Sequence, residues 1–318
     1  MENLSICTIG DTTIDRFFML DKGEAELFCS KGHCEISFGH GEKISIEKYK
    51  KSFGGSALNT AIGFSRLSVK SSIATIVGED EDGEQIISFL SKNGVNTSLI
   101  KKQEDTNQSA ILVYAGERTI FSYHKNRDYG QIEIPNTNWL YLSSAGDGFA
   151  KMIPQIDSKV KAGAKIAINP GSSLIENFEN LEKLINVCEI LFLNRQEATM
   201  LFKTEKINEQ IDEVLKQGPK TAVITDGANG AYVANATTRF HMGIMPSRLV
   251  DQTGAGDSFS CAFTASHAQG MSLEESSRWG MVNSSSVIEK IGANDGLLNE
   301  KQIREIVGSS PILKAVDL

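Results

Sequence analysis

Six continuous apolar runs of strand length recur along the chain: LSICTIG (4–10), SSIATIVG (71–78), WLYLSS (139–144), AKIAINP (164–170), ILFLN (190–194) and TAVITDG (221–227). A strand covered on one face alternates apolar with polar, so an unbroken apolar run implies cover on both faces. Stretches of helical period lie between the runs, such as Asp82–Asn93 and Ile207–Lys216. The pattern predicts a mainly parallel sheet sandwiched between helices. Two segments break the rhythm. Residues 16–52 carry short runs, including FCSKGHCEISF, with turn residues between them, and SAILVYAGERTIFSYH (109–124) places two β-rich runs around Ala-Gly-Glu. Both predict antiparallel strands, a lid of about 16–52 and 109–130 inserted at loops of the main sheet and able to cover a cleft. No repeat and no Pro, Gly or Ser-rich linker divides the chain, so residues 1–318 are expected to form a single domain.

Ligands of open α/β sheets bind beyond the carboxyl ends of the strands, and polar residues gather there in this sequence. GDTTID (10–15) follows the first run, Asn194 and Glu197 follow ILFLN, DGANG follows TAVIT, and DQTGAGD follows Leu249 and Val250. In DQTGAGDSF, Gly254, Ala255 and Gly256 let the backbone turn tightly, and a helical pattern begins near Asp257. The bare N–H groups of such a helix start form an anion site, suited to phosphate oxygens. A carboxylate beside that site can take the proton of a hydroxyl attacking phosphorus, and aspartate is equally favoured as a helix cap; the residues alone leave both readings open.

DQTGAGD followed by a helix resembles the C-terminal signature of the ribokinase-like, or PfkB, carbohydrate kinases, with Gln252 where threonine is usual. The similarity extends over nearly the whole chain. FGGSALNTAIGFSRL (53–67) is similar to the family's N-terminal G-G-x-x-x-N-x-A, VGEDEDGE (77–84) to its G-x-D-x-x-G turn, NRQE (194–197) to N-x-x-E, and TDGANG (225–230) to T-x-G-x-x-G. The fold implied is a ribokinase-like three-layer α/β sandwich with a mainly parallel central sheet and a small antiparallel β lid. The resemblance assigns Asp257 as base, Gly254, Ala255 and Gly256 as the anion hole, and Asp15, Gly54, Gly55 and Asn59 to the acceptor, with Asp11 the lesser candidate. It assigns Asn194, Glu197, Thr225, Gly227, Gly230 and Asn283 to ATP, Glu197 to Mg2+ through water, and Asp251 with the segment near Gly292 to K+. Magnesium suits such a site because it keeps several waters and takes few direct protein ligands.

The chain carries no G-x-x-x-x-G-K-[ST], which excludes a P-loop enzyme, and GAGDSF lacks the third glycine of a dinucleotide fingerprint. A net charge of −8 disfavours nucleic acid, and no run is long enough to span a membrane. The N-terminus lacks a signal-peptide pattern, so a cytoplasmic location is expected. Five scattered cysteines suggest reduced thiols; Cys29, His33, Cys34 and His40 can be drawn as a metal cluster but match no common zinc spacing. The expected function is ATP-dependent phosphorylation of a hydroxymethyl group on a small sugar, with a nucleoside or keto-deoxy sugar acid as alternative acceptors. A catalytically inactive sugar- or nucleotide-binding regulator is the remote alternative. Arg118, His124, Lys125 and Arg127 on the second lid segment could meet an anionic acceptor, and in some relatives such lids pair to form a homodimer.

Overall fold

The structure is a computed structural model of the chain and describes residues 4–21, 23–30, 33–115, 117–175, 181–310 and 313–318. All six apolar runs form adjacent strands of one nine-stranded sheet. Its spatial order is Ala315–Asp317, Arg239–Met242, Ala231–Ala234, Thr221–Thr225, Ile190–Asn194, Lys165–Ile168, Trp139–Leu142, Ser5–Ile9 and Lys70–Ala74. The pairings from Thr221–Thr225 to Lys70–Ala74 are parallel, and the three strands beyond Thr221–Thr225 run antiparallel. Alternate residues of one strand feed opposite cores: Leu140 and Leu142 join one cluster, Trp139 and Tyr141 the other. Burial of both faces is what the unbroken apolar runs require. The helices Glu81–Lys92 and Ile207–Lys216 fall where the helical period places them.

The lid is a four-stranded sheet in the order Glu117–Tyr123, Gln108–Tyr114, Thr13–Leu20, Ile46–Gly54. Its strands come from both segments that break the sequence rhythm, beginning three residues earlier, at Thr13, than the expected boundary at 16. One face looks into the cleft. The other is anchored at its base to the helix Glu81–Lys92, where Arg16 and Lys51 each reach Asp82 at 2.5 Å and Phe53 stacks on Phe89. Farther out that second face exposes Tyr49 and Phe121.

One expectation is corrected within the lid extension. Glu26–Ser30 and His33–Ser37 pair antiparallel with Cys29 opposite Cys34, and the two are joined as a disulfide with their Cα atoms 4.1 Å apart. A hairpin brings two residues five apart face to face, which spacing alone does not reveal. Their sulfurs are thereby spent on each other rather than offered as thiolate ligands, and no cluster of three or more metal-ligating side chains exists among the described residues. Cys7, Cys188 and Cys261 are buried free thiols. No helix among the described residues is long and apolar enough to cross a membrane.

Candidate active site

The helix Ala255–Ala268 starts from Gly254, whose φ of 77° lies in the left-handed region. A Cβ there would stand 2.5 Å from the Cβ of Ala293, so glycine is needed for both conformation and space. Gly256 is the opposite case: a Cβ would meet no protein atom within 4 Å, because that side opens into the cleft. No side chain caps this helix; its first N–H, that of Ala255, turns back to the Gln252 carbonyl at 3.2 Å, and the N–H groups of Gly256 and Asp257 remain for a ligand.

Asp257, third residue of the helix, does not cap it. Its Oδ2 accepts instead from Asn59 Nδ2 at 2.8 Å. Asn59 belongs to the helix Ser56–Arg66, which begins at Gly55 (φ 92°) and packs against Ala255–Ala268, with Gly63 in contact with Cys261. Deep placement pushes the Asp257 carboxyl above its ordinary value, and hydrogen bonds from Asn59 and Ser56 draw it part of the way back. The other amide atom of Asn59, Oδ1, is buried without a partner among the described residues.

Asp257 and the glycine turn share a cavity with Asn194, Glu197, Thr225, Asn169 and Gln252. Asn194 ends one strand in register with Thr225 at the end of the next, so two of the sequence candidates are neighbours by sheet pairing. Asn194 and Glu197 form a reciprocal capping box, with Glu197 N donating to Asn194 Oδ1 at 2.8 Å and Asn194 N donating to Glu197 Oε2 at 2.9 Å. One carboxylate oxygen is thus occupied by the cap. Burial holds this carboxyl above the ordinary glutamate value, opposed by the Asn194 N–H. A single partly engaged carboxylate, beside an amide, fits a hydrated magnesium ion better than a closed cage of protein ligands.

An adjoining cavity of about 350 Å³ is lined by Gly227, Gly230, Met245, Met281, Ser284 and Ser285, among others, and is largely apolar. Gly227 and Gly230 therefore stand where a nucleotide could lie. Asn283 does not. It is fully buried, donating to the carbonyl of Ser258 at 2.8 Å and accepting from Leu298 N at 3.0 Å, so it ties two helices and a loop together. The serines beside it in sequence line the cavity instead, because one residue step on a helix turns a side chain to another face.

On the acceptor side, Asp15 is buried on the inner face of the lid and takes a hydrogen bond from Thr13 Oγ1 at 3.1 Å. Burial raises its carboxyl, with Ser109, Thr13 and the charge of His124 opposing and Asp251 reinforcing. Gly54 lies against it: a Cβ there would be 2.0 Å from Asp15 Oδ2. Asp11 accepts from the hydroxyl of the buried Tyr129, which engages one of its oxygens within the protein. Among the lid cations, Arg118 bonds Asp251 and Thr253, Lys125 pairs with Glu104 at 3.1 Å, and Arg127 is buried, donating to the carbonyls of Gln103 and Asp105. His124 is exposed at the end of the lid strand.

Sequence reasoning missed Ser56, Asn169 and Gln252. Asn169 follows an apolar run directly, so the strand-end rule finds it once applied to every run. Gln252 lines the central cavity, the apolar cavity and a third one under the lid, a junction that no linear motif displays.

An uncapped helix start beside a half-buried carboxylate, an apolar pocket on one side and a polar lid on the other, define a phosphotransferase-type cleft. The pattern of the pfkB family of carbohydrate kinases matches residues 5–300, and the chain belongs to that family; its general chemistry is the family's phosphoryl transfer. The ATP-dependent 6-phosphofructokinase of Thermoanaerobacterium thermosaccharolyticum is 26% identical over 277 residues, covering 81% of this chain and 85% of that enzyme. The crystal structure of the Methanocaldococcus jannaschii nucleoside kinase, 20% identical, superposes with a TM-score of 0.79 over 97% of this chain and 99% of that one. Arabidopsis thaliana ribokinase, solved with ribose and ATP, is 20% identical with a TM-score of 0.78, covering 97% and 100%. The three relatives differ in acceptor, and the two structural likenesses carry the fold alone.

Proposed function

We propose that the protein is an ATP-dependent kinase acting, as one domain with an inserted lid, on a hydroxymethyl group of a small neutral sugar. The observation that carries this reading is Asp257 at an uncapped helix start, bonded to Asn59, in one cavity with Asn194 and Glu197. In this reading Asp257 takes the proton of the acceptor hydroxyl, and the amides from Gly254 to Asp257 stabilise charge on the transferring group. Asp15, with the close backbone of Gly54 and Gly55, holds acceptor hydroxyls through a carboxylate that can accept two hydrogen bonds. Glu197 and Asn194 hold the water shell of magnesium, which when bound would neutralise phosphate charge. The lid excludes water, which competes as acceptor.

Preference for a neutral acceptor rests on the lid cations: Arg118, Lys125 and Arg127 already have protein partners, which leaves an anionic acceptor such as a sugar acid or phosphosugar poorly matched. A second reading, a nucleoside, is favoured by the apolar side chains Phe17, Met19 and Val113, which line one part of the cavity under the lid, a cavity that Glu117, Arg118 and Asp251 also line. The test is ADP release from ATP and magnesium across pentoses, hexoses, nucleosides, sugar acids and phosphosugars. A neutral sugar is expected to give the highest kcat/KM. A nucleoside in first place would select the second reading, and an anionic acceptor would contradict the assignment of the lid cations.

A further inference from the structure

Asp251 opens the DQTGAGD segment and is 8% exposed, yet none of its carboxylate is left idle. Its Oδ2 accepts from Gly292 N at 2.9 Å; its Oδ1 accepts from Thr253 N at 2.9 Å and Thr253 Oγ1 at 2.7 Å. Burial alone would raise this carboxyl, but the Gly292 and Thr253 donors and the nearby Arg118 charge hold it below the ordinary aspartate value, so it is a fixed anion. Arg118 Nη1 then sits on both Asp251 Oδ1 and Thr253 Oγ1. A second lid cation does the same on the other flank, where Lys50 Nζ donates to the Ile291 carbonyl at 2.5 Å and to Asp295 Oδ2 at 2.9 Å.

The placement of the two cations follows from register. Arg118 heads the cross-strand row Val113, Met19, Lys48, and Lys50 stands two residues from Lys48, so Arg118 and Lys50 share the inner face of the lid from opposite edge strands. What they grip is the cradle of the anion hole. Thr253 directly precedes Gly254, and Gly254 rests on Ala293, next to the Gly292 that bonds Asp251. The family resemblance implies a potassium ion at Asp251. The residues do not fit one with the lid seated: Asp251 Oδ1 and Thr253 Oγ1 already face a guanidinium and the Ile291 carbonyl an ammonium, so an added cation would lack these oxygens and meet like charge.

We propose that Arg118 is a positioning residue and a built-in cation that, assisted by Lys50, sets the anion-hole turn from the lid in place of a monovalent metal ion. Two consequences follow. Turnover does not depend on potassium, and the turn is completed only when the lid is down over the acceptor. The catalytic half of this inference rests on the kinase reading above; the ion-binding half does not.

The test uses the full-length protein in potassium chloride and in tetramethylammonium chloride at equal ionic strength, with two readouts, kcat for the preferred acceptor and Tm. The wild type is expected to give the same kcat and the same Tm in both salts. Arg118→Met should lose about tenfold or more in kcat while KM for ATP stays within about twofold, the pattern of a contact felt in the transition state rather than in nucleotide binding. It should also acquire a potassium-specific rise in Tm, because vacated oxygens bind the ion and binding stabilises by mass action. Arg118→Lys, which keeps the charge, should retain most of kcat and the salt indifference of the wild type. A potassium-specific rise of kcat or Tm in the wild type, no such rise in Arg118→Met, or an unchanged kcat in Arg118→Met would each overturn the proposal. If no acceptor is phosphorylated at all, the kinase reading fails while the Tm comparison still decides whether Arg118 occupies an ion site.

Discussion

Gly254→Ala isolates the geometry of the anion hole from its chemistry, because alanine adds one methyl and no charge. At φ 77° the substitution places an L-residue in the left-handed region, at a cost of about 1–2 kcal/mol. The new Cβ would also lie 2.5 Å from the Cβ of Ala293 and 2.8 Å from its Cα. Carbon atoms rest at about 3.5–4.0 Å, so the turn or the Ala293 segment must move by roughly 1 Å. A displacement of that size at groups aimed at a transition state costs on the order of 10²-fold in rate, roughly 3 kcal/mol. The expected result is a folded protein with a lower urea midpoint, kcat reduced about 100-fold and KM for the acceptor little changed. Steady-state kinetics and urea titration read the two effects separately. Gly256→Ala serves as the contrast, since its methyl meets no protein atom: stability should hold, and any loss of rate then comes from the ligand side. A Gly254→Ala enzyme with kcat within about threefold of wild type would refute the claim that this turn must stand where it does.

Three further outcomes are expected. In Asn59→Leu the Asp257 carboxylate loses a donor that favours its charged form, so its pKa rises further and the acid limb of kcat/KM moves to higher pH; an unmoved limb would separate Asn59 from the base. Glu197→Gln keeps the capping box, in which glutamine is an accepted partner, but removes the charge, so the Tm should hold while the magnesium concentration needed for half-maximal rate increases; a large fall in Tm with unaltered magnesium response would make this residue a cap only. Ala228→Trp, at the exposed rim of the apolar cavity, should raise KM for ATP with little effect on KM for the acceptor, whereas the reverse ratio would move the nucleotide elsewhere.

The sheet was legible because fully buried parallel strands write themselves as unbroken apolar runs, and the anion hole because a left-handed turn before a helix demands glycine. Pairings across the molecule were not. Asn59 meets Asp257 across 198 residues of sequence, and Arg118 meets Asp251 across 133, and neither separation leaves a local trace. Asp257 could be a base or a cap by composition; its bond to Asn59, with no side-chain cap on its own helix, speaks against the cap. Asn283 misled for the reason that it is polar, near the pocket in sequence and on the wrong face of its helix. Cys29 and Cys34 are one hairpin pair, and a hairpin turn is set by backbone geometry that cysteine spacing does not report.

The central claim is that Asp257 is the proton acceptor of phosphoryl transfer, and the most direct measurement is single-turnover transfer from ATP to the preferred acceptor by wild type and by Asp257→Asn, with nucleotide affinity measured alongside. Because burial raises this carboxyl, folding works against its charged form relative to the unfolded chain, so the stability linked to its proton is present at low pH and lost as pH rises through its folded-state value; an amide at the position should leave the protein at least as stable at neutral pH. The account predicts a folded Asp257→Asn protein that binds ATP as the wild type does and transfers phosphate about 10²–10⁴-fold more slowly. Transfer at the wild-type rate would contradict it.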